Sequence, residues 1–466
     1  MRKIPFIDKM AYGVGDLSNA TAMQIVSSYL VFFLTAVLGM PGTIAGLAVA
    51  FSVFWDAFTD PIMGYISDYT KSKRFGRRHL YILIGMFLVI LSILGLFHIP
   101  VSASLTVKTG LLFGFIIIYK TALTMLITPY AALGSELTTD YLDRTKLQSI
   151  RASFFVLGIM LTVAVGMLLF FQPTTVFPVG QLNPNAYRSL AWFVSGLVFL
   201  FTSITLISTA KYIPYLKQFM LDQKPPTWTW EMFVSILFPL TNKLFLAIAI
   251  SYAFINMASA FVNSVGIHVF TYTFDFSSMN IAIILGLQMG FTVLSQPLWV
   301  WIVSKTSKPV AIKAGLIIAL IGALYFLGLV IMKNTVAKQL IFFIPYAVVV
   351  GIGTGALFTI PYSMVSDVID IDQYNQGERK EGAYFGSITF LYKFSQAGAI
   401  LLIGILLDTI GFSSNNVIQP TQIRLYLGLL LSVGVIVSFV LAYFSISQFK
   451  LRKEQLIEIQ QKLLNE

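Results

Sequence analysis

The stretch Tyr81–Ile99 reads YILIGMFLVILSILGLFHI, with no charged residue among its 19 positions. Coiled as an α-helix rising 1.5 Å per residue, it reaches across roughly 30 Å of hydrocarbon, which a helix of a soluble core rarely needs. Leu190–Ile207 and Leu425–Phe444 repeat the pattern. Apolar runs between polar breaks predict twelve such helices: 11–38, 42–66, 79–100, 106–134, 148–171, 188–211, 241–272, 277–303, 310–332, 338–366, 383–408 and 424–447. The composition agrees, with 57% hydrophobic and 11% charged residues where soluble domains carry roughly 25% charged. The fold class expected is an all-α membrane protein.

Met1–Met10 is polar and charged, and the first apolar stretch is too long for a signal-peptide core, so the first helix is expected to direct insertion. The chain has no cysteine, and His79, His98 and His268 are widely separated. Disulfides, thiolate chemistry and a structural metal site are therefore not expected, and neither is a cofactor. A nucleophile, metal-ligand set or histidine-based acid–base set is also missing, so no enzyme is expected. The net charge of +11 sits in short segments between apolar runs. That is a topology signal at an anionic membrane face, not a phosphate-binding stripe, and excludes nucleic acid as a partner.

An even helix count puts both termini on one side. Ser67–His79 carries Lys71, Lys73, Arg74, Arg77 and Arg78, and Ser304–Lys313 carries Lys305, Lys308 and Lys313, whereas Leu38–Gly42 and Gln172–Tyr187 carry no lysine. The rule that basic loops stay inside predicts cytoplasmic termini in a cell (inner) membrane. The stretch 212–242, with Trp228 and Trp230, reads as a cytoplasmic linker between six-helix bundles at 1–211 and 243–447. Pro129-Tyr130 and Asp140 recur as Pro361-Tyr362 and Asp372, each 232 positions on, which fits duplication of a six-helix unit. The tail 448–466 alternates charges with leucine and isoleucine and reads as an amphipathic helix along the membrane surface.

Ionisable groups inside membrane helices are functional candidates, because burying them in hydrocarbon costs several kcal/mol. Asp16 follows Tyr12-Gly13-Val14-Gly15 in the first helix. Asp56 and Asp60 in the second are four residues apart and share a face. Two carboxylates so close in low dielectric need a cation or proton between them. Thr59 adds a hydroxyl oxygen, and Pro61 leaves the Ala57 carbonyl without its helical donor, giving the hard oxygens that sodium favours. Lys120 and Lys393 lie in apolar surroundings on the fourth and eleventh helices. Lys120 is too deep to snorkel out, so each lysine needs a carboxylate or a wet cavity. Gly64, Asp68, Arg77 and Arg78 stand where the second helix leaves the membrane, a set that can lock one gate by charge pairing. This is a variant of the loop motif between helices two and three of major facilitators.

Three stretches resemble the glycoside–pentoside–hexuronide:cation symporters: Tyr12–Asp16, Trp55–Asp68 and Pro129–Leu133. Asp367-Val368-Ile369-Asp370, Gly377-Glu378-Arg379, Glu381-Gly382 and Lys393 follow in that family's order. The resemblance implies the major facilitator fold, two pseudo-symmetric six-helix halves rocking around a midplane cavity. It also implies sodium- or proton-coupled symport of a sugar or glycoside. Asp56, Thr59 and Asp60 would form the cation site, with Asp16 taking sugar hydroxyls and Lys393 close to both; Tyr130, Arg151 and Phe358 would help to bind the solute.

One position departs from melibiose-type members, which carry an aspartate two residues before the proline of helix four; here it is Ile127. The stretch Tyr130–Asp140 with Glu136 resembles other branches, and a related vertebrate branch carries lysolipids. A lysolipid carrier or an uncoupled facilitator is therefore the alternative. Lys120, two turns before Ile127, is expected to place its ammonium in the sodium position between Asp56 and Asp60, so that coupling uses protons or is lost. The expected partners are a small solute and the bilayer, and one chain is expected to function as a monomer.

Overall fold

The computed structural model describes residues 4–70, 72, 75–138, 141–216, 237–377, 380–451 and 453–465. Lys71, Lys73, Arg74, Asp140, Trp228, Trp230, Glu378 and Arg379 lie outside them, as does most of the expected linker. The described residues form helices without a strand. Twelve are long and apolar enough to cross a membrane. They are α1 (Phe6–Val37), α2 (Gly42–Tyr69), α3 (His79–Phe97), α4 (Leu105–Gly134), α5 (Lys146–Phe170), α6 (Pro184–Ala210), α7 (Lys243–Thr273), α8 (Ser278–Lys305), α9 (Lys308–Ile331), α10 (Leu340–Asn375), α11 (Glu381–Thr409) and α12 (Thr421–Ser447).

All twelve expected spans are present, and the ends move for identifiable reasons. Helix α1 begins at Phe6 because Asp8 and Lys9, which broke the apolar run, are tied internally: Lys211 Nζ donates to Asp8 Oδ1 at 2.7 Å and Lys9 Nζ to Asp143 Oδ1 at 2.6 Å. Helix α2 runs to Tyr69, so Asp60 is an interior residue and not an end cap. Helix α10 continues past Asp367, whose carboxylate is held by Lys308.

The chain divides into two compact units. The first comprises Met1–Pro226 with Ser277–Ala282 and Leu407–Val417; the second comprises Thr227–Phe276, Ile283–Leu406 and Ile418–Glu466. In the first, α3 packs on α4 and α6, α1 on α5 and α6, and α2 on α4. In the second, α9 packs on α10 and α12, α7 on α12 and α10, and α8 on α10. Most pairings repeat six helices on, which is the internal symmetry of a duplicated bundle. The tail forms α13 (Lys453–Asn465), which packs against α10 with the Lys462 ammonium 5.7 Å from the Tyr374 ring centre.

Candidate functional site

The polar chemistry of the first unit gathers in three places. The first lies between α1 and α5. Arg151 Nε donates to Asp16 Oδ2 at 2.6 Å, and its guanidinium carbon stands 4.9 Å from the Tyr130 ring centre and 5.8 Å from that of Tyr12. The two tyrosine rings stack at 4.7 Å. Each hydroxyl donates to the other residue's backbone, Tyr12 to Tyr130 O at 2.7 Å and Tyr130 to Tyr12 O at 2.9 Å. Glycines permit this approach: a methyl on Gly15 would stand 2.6 Å from the Tyr130 ring, and one on Gly134 2.3 Å from the Tyr12 hydroxyl. The result is a carboxylate–guanidinium pair on an aromatic floor, with cation–π attraction fixing the guanidinium.

The second place lies between α2 and α4. Lys120 Nζ donates to Asp56 Oδ2 at 2.8 Å, and one turn further along both helices Thr124 Oγ1 donates to Asp60 Oδ1 at 2.7 Å. Thr59 Oγ1 donates to the Trp55 carbonyl at 3.2 Å and lies 3.5 Å from Thr124 Oγ1. Trp55 Nε1 closes the row by donating to Thr121 Oγ1 at 2.9 Å. The ammonium thus rests on Asp56, while Asp60 is held by a hydroxyl. The expectation placed it between the carboxylates.

The third is the loop end of α2. Arg78 donates through Nη2 to Asp68, through Nη1 to Ser67 Oγ at 2.5 Å and through Nε to Glu136 Oε1 at 2.9 Å. Arg77 Nη2 reaches the same Glu136 oxygen at 2.7 Å. Gly64 faces α4, where a methyl would meet Thr128 Cγ2 at 3.7 Å, so the helices pass there at ordinary contact distance. In the second unit Lys308 Nζ donates to both oxygens of Asp367, each at 2.7 Å.

Phe358 and Lys393 belong to the second unit. Phe358 is exposed on α10, and Lys393 is half-buried on α11 between Tyr392 and Phe394. Beside them, Tyr252 packs edge-on against Tyr362 and Tyr392, at 5.3 and 5.5 Å between ring centres. Gln396 Nε2 donates to Asn256 Oδ1 at 3.1 Å.

Sequence reasoning missed Thr124, Tyr12 and the junction of both arginines on Glu136. Thr124 follows Lys120 by the four positions that separate Asp60 from Asp56, so helical spacing alone could have paired the two rows. The Glu136 contact carries no local signal.

Comparison with known proteins bears on the family and the fold. A symporter of Synechocystis, itself uncharacterised, is 26% identical, covering 91% of this chain and 89% of its own. The sodium-dependent lysophosphatidylcholine symporter 1 of Gallus gallus is 24% identical over 93% of this chain and 85% of its own. A putative sulfoquinovose importer of Escherichia coli is 24% identical over 89% and 84%. Among solved structures, the nucleoside transporter NupG (D323A mutant) superposes with a TM-score of 0.65 at 14% identity, over 95% of this chain and all of that one. A D-xylose-proton symporter superposes with a TM-score of 0.61 at 14% identity, over 93% and 96%. These likenesses are consistent with the kinship to glycoside–pentoside–hexuronide:cation symporters that the motifs imply. Residues 11–453 match the family described as MFS/sugar transport protein, and this membrane transporter of the major facilitator type belongs to that family.

Proposed function

We propose that the protein is a secondary active transporter performing sodium- or proton-coupled symport of a sugar or glycoside by alternating access. The observation that carries this reading is the Asp16–Arg151 pair on the Tyr12–Tyr130 rings. The carboxylate accepts hydroxyl protons and the guanidinium donates to ring oxygens, while the buried, stacked tyrosine rings hold the guanidinium in place. Asp16, Tyr130 and Arg151 serve as solute-binding residues, with Phe358 and Lys393 from the second unit. The Asp56–Asp60 row with Thr59 is the coupling element, with Lys120 as its charge partner and Lys393 as a further charge that takes part in coupling. Gly64, Asp68, Arg77 and Arg78 act at the gate, where breaking and remaking the Arg78 contacts accompanies the rocking of the halves. Both termini face the cytoplasm of the cell membrane, the side where the basic loops lie, and one chain works as a monomer.

The test is uptake into proteoliposomes of labelled mono- and disaccharides, hexuronides and a lysolipid under imposed sodium or proton gradients. Gradient-driven accumulation of a sugar, reduced at least about 100-fold by Asp16→Asn, is the expected outcome, since a charged hydrogen bond to substrate contributes about 3 kcal/mol. A second reading, lysolipid transport, is favoured by Ile127 in place of a carboxylate and by the full-length likeness to a lysophosphatidylcholine symporter. Lysolipid uptake without any sugar uptake replaces the first reading with the second.

A further inference from the structure

We infer that the ammonium of Lys120 is the resident cation of the α2–α4 carboxylate row, and that transport by this protein is therefore independent of sodium. The inference deepens the transport reading and rests on it. Its starting point is the register of two helices. Asp56 and Asp60 on α2, and Lys120 and Thr124 on α4, are each four residues apart, and the contacts Lys120–Asp56 and Thr124–Asp60 form successive rungs at 2.8 and 2.7 Å. A lysine here is not a displaced surface residue. It lies 15 positions after Leu105 and 14 before Gly134, more than 20 Å from either end at 1.5 Å per residue, beyond the reach of its own stem. Its side chain is 15% exposed and that of Asp56 is 9% exposed. Moving both charges out of water is costly, and the pair persists only because each is the other's counter-ion.

Without the lysine this row is a sodium site in its chemistry. Asp56, Asp60 and Thr59 of α2 and Thr124 of α4 bring hard carboxylate and hydroxyl oxygens together between the two helices, and two negative charges one turn apart demand a cation. A sodium ion and an ammonium are both monovalent, and Lys120 brings its charge covalently. It therefore meets the electrostatic demand at an effective concentration no bath sodium matches, and it cannot be carried across with the solute. A sodium ion shared by both carboxylates would have to displace the ammonium from Asp56 and leave it buried without a counter-ion.

The test is thermal unfolding of the purified full-length protein in sodium chloride against choline chloride at equal ionic strength, which needs no knowledge of the solute. Wild type is expected to unfold at the same temperature in both salts. Lys120→Ala and Lys120→Gln are expected to gain a saturable sodium-specific rise of about 2 °C or more, as binding to the folded state alone would give. Lys120→Arg keeps the charge and is expected to stay indifferent to sodium. In proteoliposomes, the wild-type solute flux is expected to change less than about twofold when external sodium is replaced by choline, and Lys120→Ala to become sodium-stimulated. A saturable sodium rise in wild type overturns the inference even if no variant folds, as does the same response in wild type and Lys120→Ala. Folded alanine and glutamine variants that both ignore sodium overturn it too. Failure to find a transported sugar touches only the transport reading, since the unfolding experiment stands without it.

Discussion

Helices α1 and α5 in the first unit correspond to α7 and α11 in the second, six helices on, yet the two pairs are joined by different chemistry. In the first unit two of the joints are ionic: Asp16 with Arg151 at 2.6 Å, and Lys9 with Asp143 at 2.6 Å. In the second, three contacts at the corresponding helices join neutral groups. Gln396 Nε2 donates to Asn256 Oδ1 at 3.1 Å, Ser395 Oγ to the Ala253 carbonyl at 2.9 Å, and Asn242 Nδ2 to the Tyr384 hydroxyl at 3.3 Å. Backbone packing differs in the same sense. A methyl on Gly158 of α5 would lie 2.7 Å from the Leu17 carbonyl oxygen, whereas Gly382 and Gly398 of α11 have nothing within 4 Å of that position. The two halves share most of their helix pairings, but the broad packing of α1 on α5 has no counterpart of similar extent between α7 and α11. The first unit holds α1 to α5 partly through charges that are costly to separate, while Gln396 and Ser395 of α11 meet α7 through neutral hydrogen bonds.

The sharpest way to break this contrast is to strip one partner from each clasp and follow unfolding in detergent. Arg151→Met leaves Asp16 buried without its counter-ion and is expected to cost about 3–5 kcal/mol. Gln396→Leu leaves an amide short of one hydrogen bond and is expected to cost about 1 kcal/mol. Equal losses would show the ionic and neutral joints to be interchangeable. A smaller difference is expected from the paired glycines. Gly158→Ala pushes a methyl against backbone that cannot turn aside and should cost about 1–3 kcal/mol. Gly398→Ala enters open space and replaces a poor helix former, so it should stabilise by up to about 1 kcal/mol. A neutral Gly158→Ala would mean that α1 and α5 separate as readily as α7 and α11.

The helices and their number were legible because hydrocarbon thickness imposes a length that apolar runs report directly. Asp56, Asp60 and Lys120 were legible for a related reason, since a charge inside such a run needs a partner. What the sequence withholds is which partner. The spacing of Asp56 and Asp60 suggested an ammonium between them, and only the register of α2 against α4 puts it on Asp56, with Thr124 on Asp60. Glu136, beyond the apolar part of α4, collects both Arg77 and Arg78 from residues 58 and 59 positions earlier, a contact set by how α3 packs on α4. The contrast between the two clasps was equally hidden. Asn256 and Gln396 are ordinary polar residues in sequence, and that they link α7 to α11 emerges only from the contact between the helices.

The subtlest consequence of the contrast is a pH dependence at the Lys9–Asp143 joint. Asp143 lies just before the membrane-spanning part of α5, and its carboxyl is held below the ordinary carboxylate range by the Lys9 ammonium and then by the backbone N–H of Ile4, which donates at 3.1 Å. A carboxyl whose folded pKa is depressed contributes stability at every pH above its unfolded value, near 3.9, and loses that contribution as pH falls through the lower folded value. The hydrogen bond from Asn242 Nδ2 to the Tyr384 hydroxyl, at the start of α7, is itself between neutral groups. Thermal unfolding recorded between pH 7 and pH 3 should therefore show a decline below about pH 4 that is shallower in Asp143→Asn. Asn242→Ala should leave that decline unchanged. If Asp143→Asn follows the wild-type profile throughout, the ionic tie at the start of α1 contributes nothing beyond its shape, and the contrast between the units rests on Asp16 and Arg151 alone.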